Sequence, residues 1–264
     1  MEKRFLAPKE IANTMINVGV GKANLKTTTM IYLGILAGIY IGFGGLANII
    51  ISQTLGNIDP GLAKFAGAAV FPVGLILVVV AGAELFTGNN LMTLAVMNKK
   101  ITLSQMFRNW GVVWVTNLVG SVFLALIVFY GGILDGDAGT KAIAIAESKA
   151  SLDVMALILR GILCNILVVL AVWMATSSQD IISKLFSCWF PVMLFVLCGF
   201  EHSIANMFFI PMGMLLGAKV TMVALIKNLV FVTIGNILGG AIIIPLLYQN
   251  AYLKEEKQVS KQQS

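Results

Sequence analysis

"CGFEHSIANMFFIP", residues 198–211, sets Glu201 beside His202, the only histidine of the chain, inside a long apolar tract. Ionisable groups are costly in hydrocarbon, so the pair needs a cavity or a packed protein interior around it. A second stretch, "GAELFTGN" at residues 82–89, follows the same pattern of glycine, glutamate two residues on, and a closing asparagine. Glu84 and Glu201 lie 117 residues apart. Phe71-Pro72-Val73 returns as Phe190-Pro191-Val192, Arg108-Asn109 as Lys227-Asn228, and Asn117-x-x-Gly120 as Asn236-x-x-Gly239, each at an offset of 119. Four matches in one order indicate a duplicated unit.

Composition sets the surroundings of that unit. Of 264 residues, 58% are hydrophobic and 11% charged, and the mean hydropathy is +0.92. Soluble domains carry about 25% charged residues. The chain therefore reads as an all-α membrane protein. A spanning helix needs about 20 mostly apolar residues. Six tracts qualify: Met30–Leu55, Ala63–Met97, Trp110–Leu134, Val154–Thr176, Lys184–Gly217 and Thr221–Leu247. The second and fifth are too long for one span and too short for two, and each holds one of the two polar clusters. Three spans per repeat is an odd number, so the second copy inserts upside down. The reading is six transmembrane helices in an inverted 3+3 repeat, about 30–134 and 154–248, with helices 2 and 5 broken. Backbone that leaves the helix at membrane depth must be buried or line a cavity, which makes the breaks the candidate transport path.

The expected organisation is an N-terminal amphipathic helix within 1–29, a channel domain over 30–250, and a polar tail at 251–264. In "APKEIANTMINVGVGK", Ile11, Met15 and Val18 share a face and Pro8 suits a first helical position. Membrane-surface binding and packing against the bundle are both open for it. With both termini cytoplasmic, twelve of the eighteen basic residues fall inside: Lys3, Arg4, Lys9, Lys22, Lys26, Lys99, Lys100, Arg108, Lys184, Lys254, Lys257 and Lys261. That distribution favours a multi-pass cell (inner) membrane protein with both termini in the cytoplasm. It also accounts for the net charge of +6 without nucleic acid. No signal peptide is expected, because Met1–Lys26 is polar. Cys164, Cys188 and Cys198 match neither a disulfide framework nor metal spacing and read as core packing.

At the breaks, Glu84 and Glu201 admit two readings. They are a proton relay or cation site, or they cap the exposed N–H groups of the half-helices, and their retention in both repeats favours the structural role. Asn89 and Asn206 read as partners for broken backbone. His202 faces Leu85 in the repeat, so duplication explains the scaffold and not the histidine. It is the residue placed to donate a hydrogen bond or proton to a small anion. Thr87 adds a hydroxyl. Lys149, in an otherwise acidic segment, is a solvated lysine or an electrostatic lure. Leu85, Phe86 and Phe195 form hydrophobic gates if they face the path.

"AGAELFTGNN" and "GFEHSIANMFFIPMG" resemble the two signatures of the formate/nitrite transporter family, and the six-span plan agrees over essentially the whole chain. The resemblance implies an aquaporin-like fold, a homopentamer in the lipid bilayer, and one pore per protomer for small monovalent anions of weak acids. It implies no cofactor, no metal and no catalytic residue. By motif position, His202 becomes the central pore histidine, Asn206 its companion, Thr87 the facing hydroxyl, and Lys149 the lysine beside the outer path. Leu85 and Phe195 become one constriction, with Phe71, Leu75, Phe86, Asn165 and Val168 as further lining positions. Formate is the leading substrate, and nitrite and hydrosulfide stay open. An ion entering a low-dielectric constriction pays on the order of tens of kcal/mol. Passage largely as the neutral acid, with proton coupling at His202, avoids that cost. A membrane enzyme would need a catalytic pair or metal ligands. A neutral-solute channel of the aquaporin kind would carry paired Asn-Pro-Ala in place of "ELFTG" and "EHSIAN".

Overall fold

The computed structural model describes residues 5–254, and these residues are almost entirely helical. Among them, besides a 3-10 turn at Leu55–Asn57, ten helical elements follow in order. They are α1 (Pro8–Ala23), α2 (Thr27–Ser52), α3 (Pro60–Gly82), α4 (residues 86–97), α5 (Leu103–Tyr130), α6 (Asp137–Ala150), α7 (Val154–Ser177), α8 (Ile181–Leu197), α9 (Ser203–Leu215) and α10 (Met222–Leu253). Five of them, α2, α3, α5, α7 and α10, are long and apolar enough to cross a membrane. The shorter apolar helices α8 and α9 stand in series. α4 is composite, with a 3-10 turn at Asn90–Met92 between two α-helical turns.

Helix starts follow local chemistry. Asp59, Thr102, Asp153, Asp180 and Thr221 each accept a backbone N–H from the first turn of the helix they precede. Such a cap contributes about 1 kcal/mol. At Asp180, outside the spans, hydrogen bonds from Ser183, the backbone N–H first, hold the carboxyl below its usual range.

Both broken tracts turn at a glycine with positive φ. Gly82 sits at +91° and Gly199 at +69°, where other residues are strained. Gly199 closes a Schellman motif, its N–H donating to Val196 O and the Phe200 N–H to Phe195 O. The chain then runs extended through Leu85 (φ −105°, ψ 121°) and His202 (φ −111°, ψ 117°) before the helix resumes. Helices α2 and α5 meet at backbone distance, as do α7 and α10. A Cβ at Gly120 would strike the Ile35 carbonyl, and one at Gly239 the Ile162 carbonyl. Small residues permit this approach where lipid supplies no hydrophobic drive.

Helix α1 packs against the bundle. It lies on α4, α7 and α10 and buries Ile11, Ala12, Met15, Ile16 and Gly19. Val18, expected on the apolar face with Ile11 and Met15, is exposed instead, because the buried stripe turns toward Ile16 and Gly19. Ahead of it, the Leu6 N–H donates to Ser177 O and the Ser177 hydroxyl to Leu6 O.

Two other expectations shift. Cys164 and Cys188 are buried, but Cys198 is exposed, because it is the residue on which α8 ends, outside the packed face. Helix α10 continues past Leu247 to a buried Leu253, so residues 251–253 are helical. The remainder of the expected tail, 255–264, lies outside the described residues, as do Lys3, Arg4, Lys257 and Lys261.

Candidate functional site between two cavities

Each break is held by an asparagine from a neighbouring helix. Asn117 accepts the Phe86 N–H at Oδ1 (3.0 Å) and donates from Nδ2 to Gly34 O (2.8 Å) and Glu84 O (2.9 Å). Asn236 repeats the pattern, accepting from Ser203 N–H (2.9 Å) and donating to Gly161 O (2.8 Å) and Glu201 O (3.0 Å). The carboxylates are also matched. Glu84 takes Lys22 Nζ and Asn89 Nδ2 (2.7 Å), while Glu201 takes Lys149 Nζ at 3.0 Å on both oxygens and Asn206 Nδ2 (2.7 Å). Asn89 and Asn206 also donate to Asn109 and Asn228, both at 2.8 Å.

The carboxylates therefore do not do the capping anticipated for them. Asn117 serves the first half-helix, and His202 Nδ1 accepts the Ala205 N–H (3.1 Å) at the second. Glu84 and Glu201 turn toward lysine ammonium groups, because a charge-assisted bond is about twice as strong as a neutral one. Both carboxylates are about 5% exposed or less.

Two cavities approach this centre from opposite sides. One, of about 340 Å³, is lined by Lys64, Lys141, Lys149, Glu201, His202 and a layer of Phe71, Phe195 and Phe209. The other, of about 470 Å³, is lined by Lys22, Glu84, Leu75, Leu85, Asn89 and Thr176. Phe71 and Leu75 are one turn apart on α3 and face different cavities. The Phe195 ring stacks on His202 at 5.8 Å and meets Phe71 edge-on, also at 5.8 Å. Lys149 Nζ lies 5.5 Å from the centre of the Phe209 ring, within cation–π range.

His202 Nε2 contacts Thr87 Oγ1 at 2.8 Å, joining the two breaks. The Nδ1 bond from Ala205 fixes the tautomer. With Nδ1 accepting, a neutral ring carries its proton on Nε2, which then donates to Thr87. The Thr87 hydroxyl proton is left to donate onward. A second proton on the ring requires Nδ1 to release Ala205.

The structure brings together His202, Thr87, Lys149, Phe71, Phe195, Leu75 and Leu85. It does not place Thr87, Asn165, Asn206, Phe86 or Val168 among the residues lining either cavity, and Thr87 joins the group only through His202. Asn206 is buried on Glu201 and Asn228, Phe86 lies edge-on to Trp110 at 5.9 Å, and Asn165 bonds other amides. Sequence reasoning missed Lys22, Phe209 and the roles of Asn117 and Asn236. A signal for Lys22 existed: Lys22 and Lys149 are 127 residues apart, as are Gly34 and Gly161.

The sequence model described as formate/nitrite transporter matches residues 9–250. A "probable formate transporter" of Methanothermobacter thermautotrophicus is 42% identical, covering 97% of this chain and all of its own. A solved "FNT family ion channel" superposes with a TM-score of 0.84 at 34% identity, covering 92% of this chain and 98% of that one. A "pentameric formate channel with formate bound" gives 0.77 at 34% identity, covering 86% and 98%.

Proposed function

The chain belongs to the formate/nitrite transporter family of multi-pass membrane channels, and from that premise we propose that it conducts formate as the neutral acid past His202 and Thr87. The observation that carries this reading is the His202–Thr87 contact, buried between two cavities that lysines flank. Lys149 and Lys22 are neutralised by Glu201 and Glu84, and Lys64 and Lys141 at the first cavity supply the further positive charge that draws in an anion. As the anion desolvates against Phe71, Phe195 and Phe209, its proton affinity rises. The neutral acid avoids the Born penalty, on the order of tens of kcal/mol, that an ion would meet there. Thr87 offers it a hydroxyl proton while neutral His202 fixes that hydroxyl from behind. Proton coupling enters when Nδ1 exchanges the Ala205 N–H for a proton.

The proposed architecture is six spans in an inverted repeat, with α3–α4 and α8–α9 as the broken second and fifth. The matched hydrogen bonds of Asn117 and Asn236, and of Glu84 and Glu201, support it. They pair α1–α5 with α6–α10, so the repeat includes α1 and α6 as well as the spans. In the membrane we place Lys9, Lys22, Lys26, Lys99, Lys100, Arg108, Lys184 and Lys254 on the cytoplasmic side, with both termini, by the excess of basic residues there. The solved pentameric relative favours a homopentamer with one path per protomer.

A substrate panel tests the reading. Proteoliposomes holding the purified protein are challenged with formate, nitrite, hydrosulfide, acetate and chloride. Formate flux far above chloride is expected. Equal formate and chloride rates would remove the weak-acid mechanism, and water or glycerol flux without anion flux would restore an aquaporin-like role.

A further inference from the structure

Thr87 lies in the turn that opens α4, and His202 caps α9. Their 2.8 Å contact requires two half-helices from different breaks to stay in register. Asn236 grips the peptide groups on both sides of His202, at Glu201 O and Ser203 N–H. Its own carbonyl accepts Asn165 Nδ2 at 2.7 Å, and the same Nδ2 donates to Asn90 Oδ1 at 2.8 Å. Asn90 stands one turn after Thr87 and ties its Nδ2 to Phe86 O (3.2 Å). Thr87, Asn90, Asn165 and Asn236 are all 0% exposed. A continuous chain of amides thus runs from the Thr87 turn to the backbone around His202, outside both cavities.

We propose that Asn90 and Asn165 are positioning residues, an amide brace that sets the Thr87–His202 contact and through it the preference for a neutral acid. The proposal rests on the functional reading above for its effect on transport, though not for the contact itself. Two features separate the brace from general packing. It is one-sided: at the repeat offsets of 127 and 117, Asn165 corresponds to Gly38 and Asn90 to Met207. At the first break the Asn117 carbonyl packs directly on Gly38, where even a Cβ would collide, so no amide fits. It is also polarised. Asn165 works through Nδ2 alone, its Oδ1 being buried with no partner, and both groups it faces are acceptors. An isosteric oxygen at that place is repelled by both.

Asn165→Asp makes that change without altering shape, and Asn90→Asp keeps the acceptor that Asn165 needs but loses the Nδ2 tie to Phe86 O at the Thr87 end of the brace. The single histidine gives a direct readout, because 15N-histidine labelling yields one Nε2 and one Nδ1 signal in a solid-state NMR spectrum of the protein in lipid. Asn165→Asp is expected to shift the Nε2 signal as the Thr87 bond is lost, and Asn90→Asp to shift it as well, through the lost tie to Phe86 O. Formate flux should fall about tenfold or more in Asn165→Asp, since small misplacements of functional groups cost up to about 10²-fold. Flux should recover on acidification, when the carboxyl gains a proton to donate. In a His202→Ala background the same change should have no further effect. A native Nε2 signal and native pH profile in Asn165→Asp overturn the brace, as does an equal flux loss without His202. If Asn165→Asp does not assemble, Asn90→Ala carries the test, and a native signal there overturns it. A shifted signal in a protein that never conducts formate sustains the brace and removes the functional reading.

Discussion

Glu201 is buried beside Lys149 and Asn206, and Glu84 beside Lys22 and Asn89, so each carboxylate depends on one ammonium group. Removing one partner of a buried pair leaves an uncompensated charge and costs about 3–5 kcal/mol. Lys149→Met and Lys22→Met should each lower the unfolding midpoint in detergent, and Lys149→Met with Glu201→Gln should recover most of the loss. An unchanged midpoint in Lys149→Met would show the pair to be solvated. Thr87→Val keeps the shape but loses the hydroxyl that bonds His202 Nε2. Formate flux should fall about tenfold, the equivalent of one hydrogen bond of about 1.4 kcal/mol, with the fold intact by size exclusion. Much at this scale was legible in sequence. The asymmetry of His202 against Leu85 singled out the histidine, and Thr87 and Lys149 followed from the motif. Lys22 was not found because a repeat drawn from residue 30 leaves out α1, whose polarity looks like a surface helix. Asn165 was set on the path by the family resemblance alone, and it lines neither cavity, because its amide bonds Asn90 and Asn236, a contact that leaves no trace in one sequence.

Helix breaks were visible as tracts too long for one span and too short for two, each punctuated by glycine. What sequence could not show is how the breaks are held. The asparagines that hold them, Asn117 and Asn236, sit one helix further along the chain. Gly82 and Gly199 bear positive φ with open space where a Cβ would stand, so substitution there tests conformation without a clash. Gly82→Ala and Gly199→Ala should each cost about 1–2 kcal/mol from the left-handed backbone alone. Thermal unfolding in detergent measures this, and a midpoint within error of the native value would contradict the assigned backbone. The contrast between α1 and α6 belongs to the same scale. Both are short helices ending near a lysine that reaches a buried glutamate, yet only α1 had been read as a separate element.

Across the molecule, apolar faces on α5 and α10, such as Phe123, Ile127, Val230 and Ile234, are exposed and fit contact with lipid or other protomers. The proposed pentamer predicts five 28.3 kDa chains by native mass spectrometry in mild detergent, and a monomer under those conditions would contradict it. Composition sufficed for the helical membrane class, since that follows from hydropathy. It did not define the two cavities, which α6 and α1 help to line. The central claim is that charge does not cross the His202–Thr87 centre. It is tested by recording lumenal pH in proteoliposomes given an inward formate gradient, with and without an imposed membrane potential. Lumenal acidification by one proton per formate, faster than in protein-free liposomes and indifferent to the potential, is the predicted result. Formate uptake that follows the potential and leaves lumenal pH unchanged would contradict it.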